Sequence, residues 1–179
     1  MNSSKKEEIL QIVRNASVDL LDEKKSIHDV LVDCKNVCKT LQISDENPWI
    51  DLELNGYLVK YSTRDELCQN LPSYRKTDWR FYDLYGNLIS FPPDITNLFG
   101  QSTIHHSIGE LETKDTVIIG SQFLDKFNNF ISNHGMDYTS KNVRIHEARI
   151  TQAEISQVMK GVKKRIQELL DTIISILEF

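Results

Sequence analysis

The chain has 179 residues, 40% hydrophobic and 26% charged, with a formal net charge of −5 and a pI near 5.5. That length and composition suit an ordinary globular chain able to bury one sizeable core, and the acidic balance argues against a global basic field for nucleic acid or an anionic membrane. No window approaches about 18 uninterrupted apolar residues, so no transmembrane helix is expected.

The N-terminus, MNSSKKEEILQIVRN, turns charged where a secretory signal would turn apolar. Its three cysteines, Cys34, Cys38 and Cys68, cannot all pair within the chain and fit a reducing compartment. A cytoplasmic protein is expected.

In chain order, Ser4-x-x-Glu7 has the spacing of a capping box. Ile9, Ile12, Val13 and Ala16 then recur at helical spacing, which predicts a helix to about Leu21. Ser26 is the expected N-cap of a second helix, whose apolar stripe runs Ile27, Val30, Leu31, Cys34, Val37, Cys38, Leu41. A short third helix follows, with Pro48 suited to its first turn and Asn55 or Gly56 taking the left-handed conformation that ends it.

After residue 70 the pattern changes. SYRKTDWRFYDLYGNLISF (73–91) reads as two strands joined by a tight turn at Tyr85-Gly86-Asn87, stopped by Pro92-Pro93. Short helices are expected over 94–99 and over 103–112, a buried strand over 116–120, an amphipathic helix over 121–132 with Phe123, Phe127 and Phe130 on one side, and a strand over 142–150. Thr151-x-x-Glu154 is a second capping box, opening a helix over 151–179. There Ile155, Met159, Val162, Ile166, Leu169, Ile173 and Ile176 are spaced alternately by four and three residues, a heptad seam. Val158, Leu170, Ile174 and Leu177 widen that face enough for two neighbours, the N-terminal helices and a second subunit. Helices, then short strands, then a long helix define an α+β fold in a single domain over 1–179.

Chemical signatures are sparse. Neither GxGxxG nor GxxxxGK[ST] occurs. Cys34 and Cys38 are four apart on an apolar stripe with no second ligand pair, which favours core packing over zinc. His105 and His106, read as helical neighbours, would diverge, whereas His106 and Glu110 could pair. No metal site and no cofactor are expected. Arg75, Lys76 and Arg80 interleave with Tyr74, Trp79, Phe81 and Tyr82, a composition that can hold single strands. A half-buried strand alternates the same way, and the acidic chain disfavours the nucleic-acid reading. Glu53, near the C-terminus of a short helix, sits where the helix dipole favours cations and so calls for a basic partner. Arg75 is the candidate, through a bidentate pair.

Two blocks give these residues a context. W-x-x-x-E-L-N-G-Y stands at Trp49, Glu53, Leu54, Asn55, Gly56 and Tyr57, and L-P-x-Y-R at Leu71, Pro72, Tyr74 and Arg75. With the helix over 26–41 before them and IHHSIGELE (104–112) and the terminal helix after them, their order resembles the AbiTii family, a small domain associated with bacterial abortive infection against phage. The resemblance implies a cytoplasmic phage-defence setting and brings no established active site. Three functional readings follow. One is a non-enzymatic interaction module that self-associates or binds a partner defence protein through the heptad seam. A second is a toxic effector such as a nuclease, with Glu53, Tyr74, Arg75 and a histidine as its site. A third is a nucleic-acid sensor using residues 74–82. The module is favoured, because clustered carboxylates for a metal-dependent nuclease are missing from the pattern.

Overall fold

The structure, a computed structural model, describes residues 3–91, 101–119, 121–133 and 144–178. Its helices are α1 (Ser3–Leu21), α2 (Ile27–Leu41), α3 (Trp49–Asn55), α4 (Arg64–Asn70), α5 (Ile108–Glu112), α6 (Ser121–Asn133) and α7 (Gln152–Glu178). Its strands are β1 (Lys76–Thr77), β2 (Arg80–Tyr82), β3 (Leu88–Ile89), β4 (Ser102–Thr103), β5 (Val117–Ile119) and β6 (Glu147–Ile150). Long helices beside small antiparallel sheets make the fold α+β.

The helical half is built on α7. Ile155, Val162, Ile166, Leu169 and Ile173 of the heptad seam are buried, together with Val158, Leu170 and Leu177, and Met159 packs half-buried against them. Their partners are Ile9, Val13, Ala16 and Leu20 of α1 and the predicted stripe of α2. The broad face of α7 is thus filled by the chain's own N-terminal helices, because two helices side by side offer the width that it presents. Of the seven seam residues only Ile176 is exposed, at 54%. Cys34 and Cys38 lie inside this core, and burial pushes their thiols up to about 12 and about 11, away from the thiolate a metal needs.

α2 begins where predicted, with Ser26 Oγ accepting from Asp29 N–H at 3.3 Å. A second cap comes from far along the chain. Glu112 accepts from Ser26 Oγ at 2.8 Å and from the Ile27 N–H, tying α5 to the start of α2. The expected box at Ser4 is not formed, since α1 already runs from Ser3. α3 starts with Pro48 at its N-cap rather than inside its first turn.

The sheets depart further from expectation. Residues 73–75 form a single 3₁₀ turn instead of a strand. β1 then pairs with β4, Lys76 opposite Thr103, so the first half of the expected hairpin joins a different strand. The hairpin itself is β2 and β3, with Asp83 accepting backbone N–H bonds from Tyr85 and Asn87 across the turn. A four-stranded sheet runs β3-β2-β6-β5, antiparallel throughout. One face carries Phe81 and Ala148 against Leu124, Phe127 and Ile131 of α6, with Phe130 half-buried beside them. β5 was expected to be buried, yet it stands at the sheet edge. Val117 points inward, and Ile118 is 66% exposed on the opposite face. The expected strand over 142–150 is confined to β6 within the described residues, and the expected helix over 94–99 and the side chain of Phe123 lie outside them.

The box at Thr151 takes an altered form. Glu154 accepts from Thr151 N–H and Oγ1, and also from Thr77 Oγ1 and Arg80 Nε at 2.9 Å each. One carboxylate therefore starts α7 and fastens it to the strands. Among the described residues no helix is long and apolar enough to cross a membrane.

Candidate functional site

The two motif blocks meet at one buried point. α3 carries Glu53 inward and the 3₁₀ turn begun by Pro72 carries Arg75 toward it; both side chains are 0% exposed. Arg75 Nε donates to both carboxylate oxygens at 3.2 and 3.1 Å, and Nη2 donates to Oε2. Glu53 Oε1 also accepts from Tyr57 Oη at 2.6 Å and Tyr74 Oη at 2.9 Å. The Arg75 guanidinium lies 4.8 Å from the Tyr57 ring centroid. Burial and the carboxylate push the Tyr74 hydroxyl up to about 12, and Tyr57 is raised still further by the same causes. Both hydroxyls stay protonated and act as donors.

Arg75 does a second job. Its Nη1 donates to the carbonyls of Ile104 and His106 at 2.7 and 2.8 Å, while Ile104 N–H donates back to the Arg75 carbonyl at 2.9 Å. The His105 carbonyl accepts from Tyr57 N–H at 2.8 Å. With these three carbonyls engaged elsewhere, residues 104–106 cannot belong to the helix expected over 103–112. That helix is reduced to α5, capped reciprocally by Ser107 and Glu110. Glu110 thus serves the helix start, not a pair with His106.

Gly56 explains the end of the ELNGY block. Its φ is +81° with an extended ψ of 158°, not the left-handed helical cap expected. A Cβ there would lie 3.1 Å from the His105 carbonyl oxygen, so glycine serves both the conformation and the close approach. Asn55 instead bonds back to the Asp51 carbonyl through its side chain. Trp49 is an anchor as expected: it is buried, its indole N–H donates to Asn47 at 3.2 Å, and Arg165 of α7 covers its ring at 4.3 Å.

Gly161 completes the joint from α7. A Cβ there would stand 2.3 Å from Tyr74 Cγ and 2.5 Å from its Cβ, the rigid root of that side chain. Gly161→Ala therefore lowers stability by about 1–3 kcal/mol, although alanine is the better helix former by roughly 1 kcal/mol. Urea unfolding checks the sign.

Beside the joint lies a cavity of about 350 Å³, bordered by Arg64, Trp79, Ser102, His105 and His106 with an apolar wall including Ile150. The two imidazoles are stacked, centroids 4.7 Å apart and 15° from parallel, and their Nδ1 atoms have no hydrogen-bond partner. Burial lowers the basicity of both, His106 to about 4, with stacked His105, Lys114 and Arg75 adding to the shift and Glu110 opposing it. The sign follows. Below about pH 6.5 the unfolded chain binds protons that the folded histidines refuse, so stability falls as pH drops and levels off near 4. Between pH 7 and 5 the loss is roughly 1–2 kcal/mol after solvent screening. Melting His106→Asn across that range should give a flatter profile than the native chain.

The sequence placed the motif residues but not this cavity. Its walls come from residues 64, 67, 79, 102–103, 105–106, 117–118 and 150, which share no local spacing; only the doublet His105-His106 was a visible signal. Of the basic residues in the aromatic stretch, Arg75 is enclosed and Arg80, half-exposed, is paired with Glu154. Among the described residues no three of His, Cys, Asp and Glu converge to hold a metal ion.

An α+β chain whose ELNGY and LPxYR blocks close on one buried ion pair is thus a domain organised by its motif, with the histidine cavity beside it. The family model described as AbiTii matches residues 5–173, and the chain belongs to the AbiTii family. No curated protein and no solved structure matches it significantly.

Proposed function

We propose that the chain is a component of a bacterial anti-phage, abortive-infection system, acting in the cytoplasm as a single-domain interaction module that associates with a second copy or with a partner defence protein. Family membership over nearly the whole chain supports the setting. The observation that carries the module reading is the closure of the motif: Glu53 is fully occupied by Tyr57, Tyr74 and Arg75 and has no face toward a substrate. The test is phage plating on cells that carry the gene with its genomic neighbours, set beside light scattering and co-purification of the tagged chain. Deletion should restore plaques, and the chain should run as a complex. A chain that is monomeric, brings down no partner and still protects would overturn the module.

The effector reading keeps one support, the two neutral imidazoles at the cavity wall. Toxicity on expression that His106→Asn abolishes in a folded chain would favour it.

A further inference from the structure

The cavity beside the joint has a definite chemical character. Ser102 is 2% exposed and its Oγ has no hydrogen-bond partner. Keeping a buried hydroxyl unpaired is costly, and Ser102 borders the cavity, so a ligand group that reached this hydroxyl would supply the partner it lacks. The His105 and His106 Nδ1 atoms are in the same position, and a neutral imidazole has one donor and one acceptor nitrogen. The two rings already form a stack that a third flat ring would extend. Among the described bordering residues Arg64 is the one cation and none is a carboxylate. Its guanidinium lies 5.9 Å from the Trp79 ring centroid and Nη2 donates to the Gln101 carbonyl at 3.4 Å. The volume of about 350 Å³ falls at the small end of the roughly 300–1,000 Å³ usual for small-molecule sites.

We propose that this cavity binds a small planar heteroaromatic anion, of the chemical class of a nucleoside monophosphate. The heterocycle continues the imidazole stack and exchanges hydrogen bonds with Ser102 and the histidines, and the anionic group meets Arg64, whose fork suits phosphate oxygens. Ile150 and its apolar neighbours exclude water from the ring. The buried joint supplies the rigidity, since Arg75 grips the carbonyls on either side of His105 and so fixes where the rings stand. The proposal rests on the cavity and is independent of the interaction-module reading.

The test is a titration of the isotope-labelled chain with AMP, GMP, CMP and UMP, with the uncharged nucleosides and with inorganic phosphate, followed by NMR at the amides of Ser102 to His106 and at the Trp79 indole. At least one monophosphate should move these signals saturably at millimolar concentration or below, about tenfold more tightly than its nucleoside, the worth of one charge-assisted contact. Arg64→Ala should bring the monophosphate down to the nucleoside's affinity. Ser102→Ala should melt no lower than the native chain and weaken both ligands. The proposal is overturned if none of the four monophosphates moves these signals, if inorganic phosphate alone reproduces the shifts, or if the shifts fall elsewhere. Undiminished affinity in Arg64→Ala or in Ser102→Ala would overturn it equally.

Discussion

Glu53→Gln should cost the chain about 3–5 kcal/mol of folding stability, the usual penalty for removing one partner of a buried ion pair. The reason is what stays behind. The Arg75 guanidinium remains enclosed at 0% exposure, now facing an amide that can accept but cannot neutralise it. The Tyr57 and Tyr74 hydroxyls lose a charged acceptor at the same time. Against a typical total of about 5–15 kcal/mol, such a loss brings the domain near its unfolding threshold. Arg75→Met should be at least as damaging, because it also frees the carbonyls of Ile104 and His106. Replacing both partners by methionine, often neutral for an isolated buried pair, should remain destabilising here, since two hydroxyls and two carbonyls are left without partners. Urea unfolding of the three variants measures this order. A Glu53→Gln chain as stable as the native one, yet inactive in phage protection, would instead make Glu53 a functional carboxylate.

The Glu53–Arg75 contact was legible in the sequence because a carboxylate at the wrong end of a helix dipole advertises its need for a cation, and the paired blocks offered one. α1, α2 and α7 were legible for a different reason. A period of 3.6 repeated over several turns is a redundant signal, and a misplaced cap such as Ser4 hardly disturbs it. The strands failed where they are two or three residues long. β1 holds only Lys76 and Thr77, too few for alternation to register, and its partner β4 lies 26 residues away across a segment whose turn at Tyr85-Gly86-Asn87 joins β2 to β3 instead. Residues 104–106 fell inside the expected helix, but tertiary hydrogen bonds from Arg75 and Tyr57 took their carbonyls. The histidine cavity was out of reach for the same reason: its walls converge only once those long-range bonds are made.

These bonds connect the motif to the rest of the chain in a specific way. ELNGY supplies the acid, the glycine that admits the His105 carbonyl and the tyrosine that bonds it, while LPxYR supplies the base and the turn that aims it. Gly161 and Arg165 bring α7 onto Tyr74 and Trp49. A change at any of these positions therefore reaches the cavity through backbone placement, without touching a molecule inside it.

The heptad seam gives the second large effect, and it separates fold from association. Ile166 is 0% exposed at the centre of the helical core, so Ile166→Asp buries a carboxylate among Val13, Leu31, Val162 and their neighbours. Adding a lost isoleucine to an unpaired buried charge should cost on the order of 4 kcal/mol or more, and the chain should be largely unfolded at 37 °C by circular dichroism. The same variant read only by light scattering would look like a broken oligomer, although what fails first is the monomer. Ile176 lies ten residues further along the same helix, on the seam but at the surface. Ile176→Asp should leave the melting temperature within a few degrees of native, because exposed substitutions shift stability by about 0.5 kcal/mol or less. If the end of α7 contributes to self-association, that variant alone should lower the mass seen by light scattering while circular dichroism stays native. A native mass with native circular dichroism would remove this end of the seam as a contact and leave the heptad pattern wholly explained by the intrachain packing of α7 on α1 and α2.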